Sequence, residues 1–448
     1  MKHYATYKPT GIAWLPQIPE HWEQFKLRQL LKSFSEKNHP DMPLLSVVRE
    51  KGVIVRNIED TDENHNFIPD DLRNYKLVKR GQFAMNKMKA WQGSYGVSKF
   101  DGIVSPAYFV FDFNHDMNKD FFNTAIRSKA YISYFGQASD GIRVGQWDLS
   151  MNRMKDIPFF LPPRDEQDQI VRFLDWKVSK INNLINKKRK EKEELKKLKK
   201  AIISNTITKG LFSEIPMKKS GTPWLDNIPH HWELIKLKKL VTLSETKIAN
   251  SKLPYIGMEN VISWEGKYHI EKKLVPESIC PVFSIGNILF GKLRPYLAKA
   301  IIADFDGICS GEFLVLKEIK CNAHFLLYYL LSEQFIDNIN SSTYGSKMPR
   351  ANWGYIGSQL VPIPPINEQE EIVCYLDEKC GYIDHSIKLI ERMLDSLQNL
   401  KNRLIPDVVT GKIDVRGIEI PEYEFIAEES LDEADAPEDE MGSEVEEN

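Results

Sequence analysis

Two short segments carry the residue types that could contact a polyanion. Lys87-Met88-Lys89-Ala90-Trp91-Gln92 and Lys292-Leu293-Arg294-Pro295-Tyr296 each combine two cations with an aromatic ring. Cations neutralise phosphates, while Arg, Lys, Asn and Gln can hydrogen-bond base edges. Lys87, Lys89, Trp91, Gln92, Lys292, Arg294 and Tyr296 are therefore candidate nucleic-acid contacts, in a loop expected after a strand. A second pair of segments has a similar make-up: Gly141-Ile142-Arg143 with Gln146, and Gly345-Ser346-Lys347 with Arg350. Arg143, Gln146, Lys347 and Arg350 join the candidates. Ordinary surface lysines and packed aromatics are the alternative at each position.

Machinery for covalent chemistry is missing from the sequence. It has no G-x-x-x-x-G-K-[ST], no G-x-G-x-x-G and no H-E-x-x-H. Neither the Asn/Asp-Pro-Pro-Tyr/Phe loop of amino-methyltransferases nor metal-ligand spacing among Cys, His and Asp is present. Pro-Asp pairs at Pro40, Pro69 and Pro406 lack an acid-x-Lys partner. His21 and His231 each precede a Trp in an Ile-Pro-x-His-Trp turn and read as packed histidines rather than ligands. No catalytic residue and no metal site is expected.

A duplicated frame must position the candidates. Pro162-Pro163-x-x-Glu166-Gln167-x-x-Ile170-Val171-x-x-Leu174-Asp175 returns 202 residues later as Pro364-Pro365-x-x-Glu368-Gln369-x-x-Ile372-Val373-x-x-Leu376-Asp377. Gly11-x-x-Trp14-Leu15-x-x-Ile18-Pro19-x-His21-Trp22 returns as Gly221-x-x-Trp224-Leu225-x-x-Ile228-Pro229-x-His231-Trp232, offset by 210. A third block, offset by 205, relates Gly81, Lys87, Asp101-Gly102-Ile103 and Ser105 to Gly286, Lys292, Asp306-Gly307-Ile308 and Ser310. Two similar halves with variable interiors are implied.

Each half ends in a long amphipathic run. The first, from about Glu166 to Thr206, places Ile181, Ile185, Leu195, Leu198 and Ile202 at steps suited to one helical stripe. Its counterpart offers Ile383, Ile387, Ile390, Leu394, Leu397 and Leu404. About 40 residues of helix extend about 60 Å. Such stripes need partners, and mutual antiparallel pairing as a coiled coil satisfies both; two helices each capping its own domain are the alternative. Lys187 to Lys200 holds nine Lys/Arg against three Glu, either a phosphate-contacting face or a solvated one with pairs such as Glu193–Lys197.

Composition narrows the class. Of 448 residues, 42% are hydrophobic and 27% charged, as in an ordinary globular protein of two to four domains. No signal segment or spanning run is read, and five cysteines without a C-x-x-C pair suit a cytoplasmic protein with reduced thiols. The net charge of −3 hides a division. Residues 416–448 hold 14 Asp/Glu and one Arg, which leaves residues 1–415 at +10. A cationic body suits a polyanionic partner.

Taken in order, these motifs resemble the specificity subunits of Type I restriction-modification systems. The Pro-Pro-x-x-Glu-Gln helix start looks like the family's repeated conserved region. Thr206-x-Thr208-Lys209-Gly210-Leu211 and Thr410-Gly411-Lys412-Ile413-Asp414-Val415 look like its two ends. The Gly-x-x-Trp-Leu-x-x-Ile-Pro-x-His-Trp segments resemble the entry to each target-recognition domain. The resemblance covers residues 7 to about 416 and implies an α+β fold with a pseudo-two-fold internal repeat. Recognition domains at 1–160 and 213–362 would be separated by long conserved helices at 161–212 and 363–415. The acidic tail, 416–448, lies outside the pattern, and its composition predicts disorder.

The resemblance also implies a function. Each domain would read half of a split double-stranded DNA target, and the paired helices would set the spacer. Those helices would dock two methyltransferase subunits, which restriction subunits then join. S-adenosylmethionine, ATP and Mg would belong to those partners, with no cofactor on this non-catalytic chain. A standalone nuclease or modification enzyme with an unrecognised active site, or a coiled-coil adaptor, are the competing readings.

Overall fold

The structure, a computed structural model, describes residues 2–49, 51–56, 69, 71–141, 147–212, 214–249, 251–270, 278–345 and 348–427. The described chain divides into two units. One takes the residues up to Lys187 together with those from Met393, and the other takes Lys188–Arg392.

The first unit opens with a hairpin, Tyr7–Ile12 paired with Leu15–Pro19. Gly11 turns it at φ 74°, a left-handed conformation that glycine adopts without Cβ strain. The strands that follow are β1 (Glu23–Lys26), β2 (Leu31–Phe34), β3 (Phe83–Asn86), β4 (Tyr95–Val97), β5 (Tyr108–Phe113) and β6 (Pro158–Leu161). Helices α1 (Lys119–Ile126) and α2 (Lys129–Gln137) precede β6, and the long α3 (Arg164–Lys209) follows it. An antiparallel sheet of order β2-β5-β3-β4 forms the centre. Because side chains alternate across a strand, Phe83 and Met85 enter the large aromatic core while Ala84 faces a smaller one with Val104 and Val110. All four β3 residues are consequently buried.

The second unit repeats this plan. Met217–Thr222 pairs with Leu225–Pro229. Then come β7 (Glu233–Lys236), β8 (Thr242–Leu243), β9 (Ile288–Gly291), β10 (Ala300–Ile302), β11 (Phe313–Lys317) and β12 (Leu360–Ile363). Helices α4 (Ala323–Leu330) and α5 (Glu333–Ser341) precede β12, and the long α6 (Ile366–Val409) closes it. Sheet order β8-β11-β9-β10 matches that of the first unit. In both units the first and last of these strands pair with each other, β1 with β6 and β7 with β12.

Within each unit, one half of α3 packs against the opposite half of α6. In the first, Ile181 and Ile185 share a core with Leu404 and Val408, and Leu394 and Leu397 lean on it. In the second, Ile203 and Ile207 join Ile372, Leu376 and Cys380, with Ile202 against them. The start of one helix thus meets the end of the other, which is the antiparallel coiled coil. Ile383 and Ile390 are buried, and Ile387 and Leu195 are half-buried. Leu198 departs from the expected stripe: it is 50% exposed, and the next residue, Lys199, turns inward to an ion pair with Asp384 at 2.6 Å. No described helix is long and apolar enough to cross a membrane.

The acidic segment also departs from expectation. Through Ala427 it lies against α3, with Ile418 and Ile420 packed on the first core. The remainder of the tail falls outside the described residues.

Candidate nucleic-acid interface

The repeated motifs meet in space. Glu166, at the start of α3, places Oε2 2.7 Å from Nε2 of His21, while Oε1 accepts from the Trp22 indole at 2.9 Å and the Tyr4 hydroxyl at 2.6 Å. Burial, then the bond to Glu166, holds the Tyr4 hydroxyl well above its ordinary range, so it stays a donor. In the second unit Glu368 likewise takes His231 at 2.8 Å and Trp232 at 3.1 Å. The neighbouring glutamines act as a second fastening. Gln167 donates to Pro162 O and accepts from Asn118 N, and Asn118 caps α1. Gln369 does the same with Pro364, Asn322 and α4. These motifs hold each domain to its helix. His21 and His231 are hydrogen-bonded but exposed, 37% and 41%, rather than packed as the sequence suggests, and no described cluster of three or more His, Cys, Asp or Glu could hold a metal.

The third repeated block is structural as well. Arg80 N and Ile285 N each donate to the carboxylate of the repeated aspartate, Asp101 or Asp306, at 2.8 Å. That bond fastens the turn at Gly81 and Gly286, whose φ values are 85° and 82°. The turn leads into β3 or β9, and the candidate loop begins where that strand ends.

In the first unit this loop meets the segment before β6. Leu149 N donates to Lys87 O at 3.0 Å, Lys87 Nζ pairs with Asp148 at 2.8 Å, and Trp91 packs on Trp147 at 5.0 Å. Lys87 is therefore neutralised by a carboxylate, and the half-buried Trp91 is partly covered by a second indole. The buried Trp91 Nε1 has no hydrogen-bond partner among the described residues. Lys89 is exposed, and its carbonyl accepts from Gln92 N at 3.0 Å. Met88 at the tip is 51% exposed. Arg143 and Gln146 lie outside the described residues.

The second unit brings together the corresponding segments. Ala351 N donates to Lys292 O at 2.9 Å, and Arg294 N donates to Pro349 O at 2.8 Å. Arg294 adopts φ 47° and Ala298 φ 46°, both left-handed for residues with a Cβ. Strain of this kind persists only where surrounding contacts enforce it, and it concentrates at functional loops. Arg350 is committed: its guanidinium grips Glu312 through Nε at 3.1 Å and Nη2 at 3.0 Å. This fork, which pushes the Arg350 pKa up, fastens the Tyr344–Arg350 backbone bridge to the turn before β11. Arg350 is thus a positioning residue here. Tyr296 (43%), Tyr344 (62%) and Met348 (51%) are exposed around it. Lys347 lies outside the described residues.

Five participants escaped the sequence reading: Trp147, Asp148, Glu312, Tyr344 and Met348. The carboxylates carried no repeat signal, since position 107, which corresponds to Glu312 at offset 205, is an alanine. The cationic run on α3 resolves largely into ion pairs. Lys188, Lys196 and Lys197 pair with Glu191, Glu193 and Glu194 one turn away, and Lys192 and Lys200 reach Glu391 and Glu333. The spacing is i to i+3 rather than the expected Glu193–Lys197 step.

Comparison with known proteins places this arrangement. A model of the family described as "Type I restriction modification DNA specificity domain" matches residues 19–197 and 229–398. The Type I restriction enzyme EcoDI specificity subunit of Escherichia coli is 24% identical over 279 residues, 58% of this chain and 63% of that protein. The MjaVIII specificity subunit of Methanocaldococcus jannaschii is 26% identical over 283 residues, 59% of this chain and 64% of that protein. These two alignments cover less than two thirds of either relative. Among solved structures, a chain from work on complex assembly and conformational transition of the type I R-M system superposes with TM-score 0.65 at 15% identity, covering 88% of this chain and 99% of that one. The HsdS subunit from Thermoanaerobacter tengcongensis gives TM-score 0.50 at 16% identity, over 88% of this chain and 98% of that one. The fold is shared with both. With matches in both halves covering most of its length, this chain belongs to the Type I restriction-modification DNA specificity family.

Proposed function

We propose that the chain is the DNA-recognition subunit of a Type I restriction-modification complex. Each unit reads one half of a bipartite double-stranded target, and the paired helices α3 and α6 set the spacer between the halves. The observation that carries this reading is the duplicated convergence of two loops at the end of β3 and of β9. Each brings cations, an aromatic ring and an exposed methionine onto a sheet that buries its own apolar faces. Cations fix register on phosphates, and side chains at the loop tips reach base edges. A scaffold that holds two reading heads converts protein geometry into half-site spacing.

The same helices dock two methyltransferase subunits, and restriction subunits join through them. S-adenosylmethionine, ATP and Mg act on those partners, and this chain is non-catalytic and works in the cytoplasm. The deciding experiment is co-expression with the methyltransferase subunit, followed by single-molecule sequencing of host DNA for N6-methyladenine. One bipartite motif with a fixed gap is the expected result. A stable complex without new methylation would favour a coiled-coil adaptor. Methylation or cleavage by the purified chain alone would favour a standalone enzyme.

A further inference from the structure

Beyond Val415 the chain continues along α3 within the first unit. Gln169 Nε2 donates to the carbonyls of Val415 at 3.0 Å and Ile418 at 2.8 Å. Ser179 Oγ donates to Glu424 O at 2.9 Å and accepts from Ile426 N at 2.7 Å. Asn182 donates to Ile426 O and Asn186 to Ala427 O, both at 3.1 Å. Ser179, Asn182 and Asn186 are 2%, 3% and 6% exposed, and their three- and four-residue steps put them on one helical face. Every one of these bonds goes to main chain. The face therefore reads main chain, while of the segment's own side chains Ile418 and Ile420 pack on the first core. At the near end Arg416 lies over the Tyr4 ring at 4.8 Å and pairs with Asp414 at 2.8 Å.

The internal repeat exposes an asymmetry. At the offset of 202, the counterparts of Gln169, Ser179, Asn182 and Asn186 are Glu371, Gly381, Asp384 and Lys388. An ionised carboxylate cannot donate to a carbonyl, and glycine has no side chain to offer. Asp384 is instead taken by Lys199 at 2.6 Å and Lys267 at 3.0 Å. The backbone-reading set belongs to the first half of α3 alone, and among the described residues no strap covers the α6 counterpart.

We propose that Gln169, Ser179, Asn182 and Asn186 form a peptide-binding face filled by the chain's own residues 417–427, and that this strap makes the two methyltransferase-docking surfaces unequal. The inference rests on the helix pair being that docking surface. The unstrapped pair in the second unit accepts a methyltransferase directly. The strapped pair in the first accepts one only after residues 417–427 are displaced, so its apparent affinity falls by the fraction of time the strap is bound.

The test is titration of the methyltransferase subunit onto the full chain and onto a chain ending at Arg416, read by native mass spectrometry and by hydrogen exchange of residues 418–427. For the full chain the second copy should bind at least about tenfold more weakly than the first, a typical coupling magnitude. Truncation should bring the two steps together, and the double variant N182A/N186A should fall between. Protection of residues 418–427 should disappear in the two-copy complex. Equal steps in the full chain, an unchanged ratio after truncation, or persistent protection would overturn the strap while leaving the proposed function intact. Failure of both forms to bind any methyltransferase would remove the proposed function and this inference together.

Discussion

His21 and Glu166 lie 145 positions apart in the chain and 2.7 Å apart in space, Nε2 to Oε2. The contact joins the entry of the first domain to the helix on which that domain ends. Its equivalent, His231 with Glu368 at 2.8 Å, does the same in the second.

Replacing Glu166 with alanine should leave the buried Trp22 indole and Tyr4 hydroxyl without their acceptor, at a cost of roughly 3 kcal/mol. Glu368→Ala should cost less, because that side chain is 14% rather than 5% exposed and has two of these donors instead of three. Urea titration of both variants would measure the difference. An unperturbed Glu166→Ala would mean that the clamp contributes nothing to stability.

The helix pair offers a matched comparison. Ile185 is 2% exposed in the first core, so Ile185→Ala should destabilise by about 2–4 kcal/mol. Leu198 is 50% exposed, so Leu198→Ala should stay within about 0.5 kcal/mol. Thermal unfolding of the two variants side by side checks the observed stripe against the one periodicity predicts.

Phosphate contacts should show in salt dependence. Lys292→Ala and Arg294→Ala should each lower the log–log slope of binding to a nonspecific duplex by about one. Glu312→Ala should act differently, since it releases the Arg350 fork and loosens the Tyr344–Arg350 bridge. In methylation mapping it should degrade one half of the motif and spare the other. Equal degradation of both halves would separate that bridge from half-site reading.

Thiol reactivity should be graded. Burial, then the neighbouring Cys280, pushes the Cys309 thiol up to about 12, and burial raises Cys321 and Cys380 to about 11. Cys374 is exposed. Raised values keep these groups protonated at pH 8. Alkylation at pH 8 followed by mass spectrometry should mark Cys374 first, and Cys309 only on denaturation. Bound methyltransferase should slow Cys374 if α6 is its seat.

Much of the frame was legible because it is written twice. The offsets located both long helices, and apolar stripes such as Ile181 and Ile185 predicted their pairing. What sequence could not supply was the meeting of distant motifs. Glu166 read as a helix start and His21 as a turn residue, and nothing local tied them together. Leu198 fitted the stripe by period, yet the inward place went to the adjacent Lys199 because Asp384 waits there with a charge. Arg350 read as a candidate DNA contact, and its captor Glu312 carries no signal of repetition. Composition assigned the whole acidic tail to disorder, since net charge averages over Ile418 and Ile420 and cannot see Asn182 donating from α3.

The pairing of β1 with β6, and of β7 with β12, has a hereditary consequence. Each domain leaves and rejoins the frame through neighbouring strands, beside a clamp made from its own two ends. Everything between those strands forms a closed loop of chain whose neck is fixed by a few residues. Under the proposed function, a recombination event that replaces the loop and keeps the neck would give the lineage a new reading head in one step.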